Sequence, residues 1–449
     1  MDNHLTSGNV FKNIIRFALP YFLSYFLQTL YGMADLYIVG QFEGIEHITS
    51  VSVGSQVMHM VTVMIVGLAM GATVTIGQAI GAGKKDTASD LIGNTVILFL
   101  AGSVALSGIL IAIVDQIVSV MATPAEAVAA TRMYLLICFI GIPFITAYNI
   151  ISSIFRGLGD SKSPMYFIIV ACICNIGLDY LFIGYMGLGS AGAALGTTIS
   201  QTISVIVAFV VIRKRETGLA LKKANFRIQK ELIGKIMKIG IPIALQDGFV
   251  QVAFLTITII ANSRGLNDAA AVGIVEKLIG MAFLVPSSML STVSALAAQN
   301  NGAGKHDRAV RTLWYGIFIC LVYGAVVSIL VQFLAGDIIG LFSENADVIR
   351  LGSGYIKSYI FDCMFAGVHF CFSGFFCAYG KSGISFLHNS LSIILVRIPG
   401  AYFASKMFAD TLFPMGLAAT FGSILSSLIC LFFFMRMRKK LAEISAAHT

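Results

Sequence analysis

The chain has 449 residues, of which 57% are hydrophobic and only 12% charged, and its mean hydropathy is +0.87. Soluble domains carry roughly 25% charged residues, so the composition excludes an ordinary soluble domain and specifies an integral membrane protein. The formal net charge of +8 would suit nucleic acid, but its distribution along the chain, described below, excludes that partner.

The first long apolar run, residues 14–40, reads IIRFALPYFLSYFLQTLYGMADLYIVG. It exceeds the ~20 residues that cross a bilayer. Pro20 removes a backbone hydrogen bond and kinks a helix. Asp35 places a carboxylate where hydrocarbon cannot solvate it. Together they predict a hinged helix with a titratable or cation-binding group. Hydropathy predicts twelve spans, at 13–40, 48–77, 89–114, 127–155, 164–185, 190–212, 232–262, 268–298, 307–335, 347–378, 384–405 and 412–435. These runs are too long and continuous for barrel strands of ~10 alternating residues. All eight cysteines lie in apolar runs, where thiols act as small buried hydrophobes. No metal motif or disulfide framework is expected. Nor is a cleaved signal peptide, since no short apolar segment with a small-residue cleavage site opens the chain.

Orientation follows from Lys and Arg in the loops. With the N-terminus inside, 23 of the 30 basic residues fall in cytoplasmic segments. They include Lys84 and Lys85, Arg156 and Lys162, nine between Arg213 and Lys238, Lys305, Arg308 and Arg311, and the cluster from Arg436 to Lys440. The basic patches are therefore topology signals. Both termini are expected in the cytoplasm, and the membrane is expected to be a bacterial cytoplasmic membrane.

The two halves resemble each other. IRFALP at 15–20 recurs as MKIGIP at 237–242, and QAIGAGKKDTA at 78–88 as QNNGAGKHDRA at 299–309. FRGLG at 155–159 lies against FCAYG at 376–380, again shifted by 221. Six spans per half is an even number, so both halves enter from one side and the repeat is parallel. The predicted fold is all-α and integral to the membrane, with twelve transmembrane helices in two six-helix lobes. The lobes span 1–215 and 232–449, joined by a basic cytoplasmic linker, 216–231. The Gly-Lys turns do not match a phosphate-binding loop, and no strand precedes them. No ATPase motif appears, so any pumping runs on an ion gradient. An enzyme is not expected, nor a cofactor beyond the coupling ion.

Partners for Asp35 come from the same half. Asn175 and Asp179 are four residues apart and share a helix face. Thr197 follows in the next apolar run. Four oxygen donors converging in a lobe would make a hard-cation site for Na⁺. Alternatively, the two carboxylates would share a proton, since neighbouring acids in low dielectric do not both ionise easily. For Asn175 and Thr197 alone, helix–helix hydrogen bonding is the simpler reading. Two acids in one lobe point to function.

These pieces resemble the multidrug and toxic compound extrusion family. The telling segments are LYGMADLYIVG at 30–40, FRGLGD at 155–160 and NIGLDY at 175–180. The resemblance, which includes features of the DinF-like, N-lobe-coupled branch, covers essentially the whole chain. It implies ion coupling through Asp35, Asn175, Asp179 and Thr197, with Pro20 as a hinge. It also implies export of organic, often cationic compounds in exchange for H⁺ or Na⁺, by alternating access of two lobes. The protein is expected to act as a monomer in the bilayer.

The C-terminal half holds Asp247, Gln251, Glu276 and Asp362 as candidate substrate contacts, with structural pairing as the alternative. His59 and His369 read as packed helix residues. A lipid-linked oligosaccharide flippase of the same fold is the runner-up. It would favour a basic cavity, whereas Lys277 and Arg397 are the chief basic residues within these spans. A receptor or a channel is the rival of a different class, although no filter-like stretch is present.

Overall fold

The computed structural model describes residues 5–214 and 221–446. Residues 215–220, which include the first part of the expected linker, lie outside the described residues, as do the extreme termini. Every element among the described residues is helical. In chain order the α-helices are α1 (Val10–Phe42), α2 (Ile45–Gly81), α3 (Lys85–Ala112), the short α4 (Val114–Val120), α5 (Val128–Gly157), α6 (Lys162–Asp179) and α7 (Gly189–Lys214). There follow α8 (Lys230–Asn262), α9 (Leu266–Ala282), α10 (Leu284–Gly302), α11 (His306–Gly340), α12 (Ala346–Tyr359), α13 (Asp362–Ala378), α14 (Ser382–Ser392), α15 (Ile398–Met407) and α16 (Phe413–Ala446). Tyr180–Tyr185 extends α6 as a π-helical turn, and Ile393–Arg397 joins α14 to α15 in the same way.

Among the described residues, eleven helical stretches are long and apolar enough to cross a membrane. The expected first span is not among them, although α1 has 33 residues, enough for a crossing at 1.5 Å each. Its mean hydropathy is diluted by Tyr21, Ser24, Gln28, Tyr31 and Asp35.

Contacts divide the chain into two compact units. One is Leu19–Gly240, and the other comprises Leu5–Ala18 together with Ile241 onward. In the first unit, Leu232 and Ile236 of α8 join a core with Ala69, Ile76 and Leu91. Asn225 and Gln229 dock on α3 by hydrogen bonds of 2.7 Å to Asp90 and Asn94. In the second unit, Lys305 and Arg308 hold the carbonyls of Thr6 and Gly8 at 2.9 and 2.8 Å.

The repeat is visible in hydrogen bonds. α2 ends with Lys84 N–H donating to Ala79 at 2.9 Å, and α10 with Lys305 N–H donating to Asn300 at 2.8 Å. The glycines in these two turns, Gly83 and Gly304, have φ of 73° and 69°. The ends of α5 and α13 repeat the pattern around Gly159 and Gly380. A residue with positive φ, closing a bond across six residues, is the usual way for a helix to satisfy its last carbonyls.

Candidate functional site

Helix periodicity aims the site residues inward. On α1, Asp35, Ile38 and Val39 share one face, and all three are buried. Ile38 and Val39 pack in a core with Cys138, Phe139 and Ile142 of α5 and with Ala193 and Ala194 of α7. That packing sets the rotation of α1 and carries Asp35 with it. On α6, Ala171, Asn175 and Asp179 form the buried face, with Asp179 fully covered. Asp179 is the last α-helical residue before the π-turn. Such turns occur often at functional sites, because they rotate side chains off the α-helical register.

Thr197 on α7 donates to Asp35 Oδ2 at 3.2 Å. Asn175 and Asp179 are electrostatic neighbours of Asp35. Thus all four expected residues, from α1, α6 and α7, come together in the first unit. The site is nonetheless unfinished. Oδ1 of Asp35, both oxygens of Asp179 and the whole amide of Asn175 are buried without a hydrogen-bond partner. The two carboxylates have acceptors to offer each other and no donor, so a bond between them requires a proton. No ion pair reaches either acid among the described residues.

Gly196 makes room for this arrangement. A Cβ there would collide with Asp179 Oδ1 and lie 3.7 Å from Asn175 Nδ2. Sequence reading missed Gly196, although it directly precedes Thr197. It also missed Tyr31, an electrostatic neighbour of Asp35. A lone glycine in an apolar run carries no local mark of such a cradle.

The C-terminal candidates divide. Asp362 is fully buried and lies 3.6 Å from Arg397. Arg397 also bonds the Tyr359 hydroxyl and covers the Phe254 ring at 5.1 Å. Glu276 accepts from Thr258 at 3.2 Å and is an electrostatic neighbour of Arg397. Asp247 instead neighbours Cys377, and Gln251 is half-buried on the same helix. His369 is buried and lies 3.3 Å from the Ser423 hydroxyl, as a packed helix residue would. Pro20 lies inside a continuous α1, and its carbonyl accepts from Ser24 Oγ at 2.9 Å. No group of three or more His, Cys, Asp or Glu among the described residues is arranged to hold a metal ion.

The MatE family model matches residues 20–181 and 242–403, once in each half. Probable multidrug resistance protein YoeA of Bacillus subtilis is 28% identical over 76% of each chain. Probable multidrug resistance protein YpnP of the same organism is 27% identical over 93% of each. A MATE protein crystallised in straight and bent conformations superposes with a TM-score of 0.91 in both, at 22% identity. The straight form covers 98% of this chain and is itself 99% covered, and the bent form 99% of each. A family match in both halves, over a fold shared end to end, makes this multi-pass membrane chain a member of the multidrug and toxic compound extrusion (MATE) family of transport proteins.

Proposed function

We propose that this protein is a secondary active exporter that exchanges organic, cationic solutes for H⁺ or Na⁺ entering at Asp35 and Asp179. One observation carries the reading. Two buried acids of one lobe face each other with no basic partner among the described residues and with acceptor oxygens left over. Isolated carboxylates in low dielectric are costly, so the pair is suited to take up a proton or a small cation. Thr197 and Asn175 would supply further oxygens to Na⁺. The names of the relatives support the substrate class, since they are described as multidrug resistance proteins.

Uptake of the cation changes the charge between α1 and α6 and bears on the Thr197–Asp35 hydrogen bond that links α1 to α7. A ligand moves a two-state equilibrium only through its differential affinity for the two states. A site built from three helices meets that condition when α1 bends. Pro20 is suited to be the bend, and the structural relative exists in straight and bent forms.

The test is export from proteoliposomes with imposed pH or Na⁺ gradients and a panel of organic cations. Asp35→Asn is expected to abolish gradient-driven export while still inserting in the membrane. Export at the parent rate by that variant would refute the coupling role. Which gradient drives the parent distinguishes H⁺ from Na⁺.

A further inference from the structure

Arg156 ends α5 inside the Phe155–Asp160 motif, and ion coupling gives it no role. The topology reading places it among the loop charges. It stands in the last turn of α5, where packing leaves it only 8% exposed. It donates to the Tyr21 hydroxyl at 2.9 Å and to Ser153 Oγ at 2.8 Å. Its guanidinium carbon lies 4.9 Å from the centre of the Tyr21 ring. All of these partners are neutral. Asp160, four residues on, accepts from Ser163 Oγ at 2.6 Å and from the backbone of Lys162 and Ser163. The carbonyls at the end of α5 offset part of the Arg156 charge, but a buried cation calls for an anion.

Beside Arg156 is a cavity with ≈ 20 Å³ of free space, room for a water or two or one small ion. Gln28 of α1 and Tyr148, Asn149 and Ser152 of α5 line it, and no acid does. Ser152 is 2% exposed, and its hydroxyl lies beside that of Tyr148. The cavity therefore combines one buried cation, several neutral hydroxyl and amide groups and space for a small ion.

We infer that this cavity binds a small inorganic anion of halide size, held by Arg156, Ser152 and the Tyr148 hydroxyl. The anion balances the buried guanidinium and ties α1, just past Pro20, to α5. The site is separate from the carboxyl pair. Gln28 and Asp35 are seven residues apart on α1, or ~10 Å along the axis. The inference therefore stands or falls independently of ion coupling.

The probe is chloride, applied to the purified full-length protein, with sodium gluconate as the bulky control at equal ionic strength. Chloride is expected to raise Tm saturably and to broaden the ³⁵Cl resonance, while gluconate does neither. Ser152→Ala is expected to weaken the apparent chloride affinity about fivefold and Arg156→Gln at least about tenfold, as loss of a neutral and a charged donor respectively. Should Arg156→Gln fail to fold, Ser152→Ala and Tyr148→Phe decide the matter. A parent with no saturable chloride response overturns the inference. So does a response that the folded variants retain at full strength, since the anion then sits elsewhere.

Discussion

Asp35 and Asp179 owe their chemistry to what surrounds them. Buried side by side on α1 and α6, they face a threonine, an amide and a glycine, and no cation among the described residues. Gly196 is the most sensitive neighbour. Gly196→Ala is expected to push α7 away from Asp179 at the cost of overpacking, about 1–3 kcal/mol, and to reduce coupled transport severely while helical content, read by circular dichroism, stays at the parent level. In the other unit, Asp362 and Arg397 show the opposite solution, a carboxylate with its cation already in place. Arg397→Met is expected to lower stability by about 3–5 kcal/mol, because it strands the buried acid. Adding Asp362→Asn to that variant is expected to recover part of the loss in thermal unfolding. Residue types legible in the sequence identified both sets of acids. The sequence could not say that Asp362 has a basic partner 35 positions away, because pairing across helices leaves no local pattern.

Among the elements, α1 has the least typical composition for a span and holds Pro20 and Asp35 of the proposed coupling site. Its polar residues dilute its hydropathy, which is why it is the expected span missing from the apolar set. Pro20 denies a donor to the carbonyl one turn earlier, and Ser24 binds the Pro20 carbonyl itself. Pro20→Ala restores the backbone bond, so α1 is expected to become stiffer. Tm is expected to rise, while transport measured in the same proteoliposomes falls. A variant that transports at the parent rate would remove Pro20 from the mechanism. The π-turn after Asp179 was not legible, because Tyr180–Tyr185 is an ordinary apolar string. Its register is decided by packing against α7, where a Cβ at Gly192 would lie 3.1 Å from Phe182.

At the scale of the whole molecule, the internal repeat is a physical fact as well as a textual one. The same turn, with the same backbone bonds and the same positive-φ glycine, closes α2 and α10. Gly83→Ala and Gly304→Ala are each expected to cost about 1 kcal/mol, the strain of a Cβ in the left-handed region. Similar losses of Tm in the two variants would follow from the shared geometry.

The sequence by itself determined the membrane class, the all-helical fold, the internal repeat and which acids stand inside apolar runs. Those properties rest on hydropathy, on periodicity and on charges too costly to bury without a reason. Only the tertiary structure decided which acid meets which partner. It also assigned residues 5–18 and 230–240 to packed units and buried Arg156 at the end of α5. The reason is that hydrophobicity is a property of each segment, whereas the environment of a charge depends on which helix faces it, and that is set by contacts between residues more than a hundred positions apart.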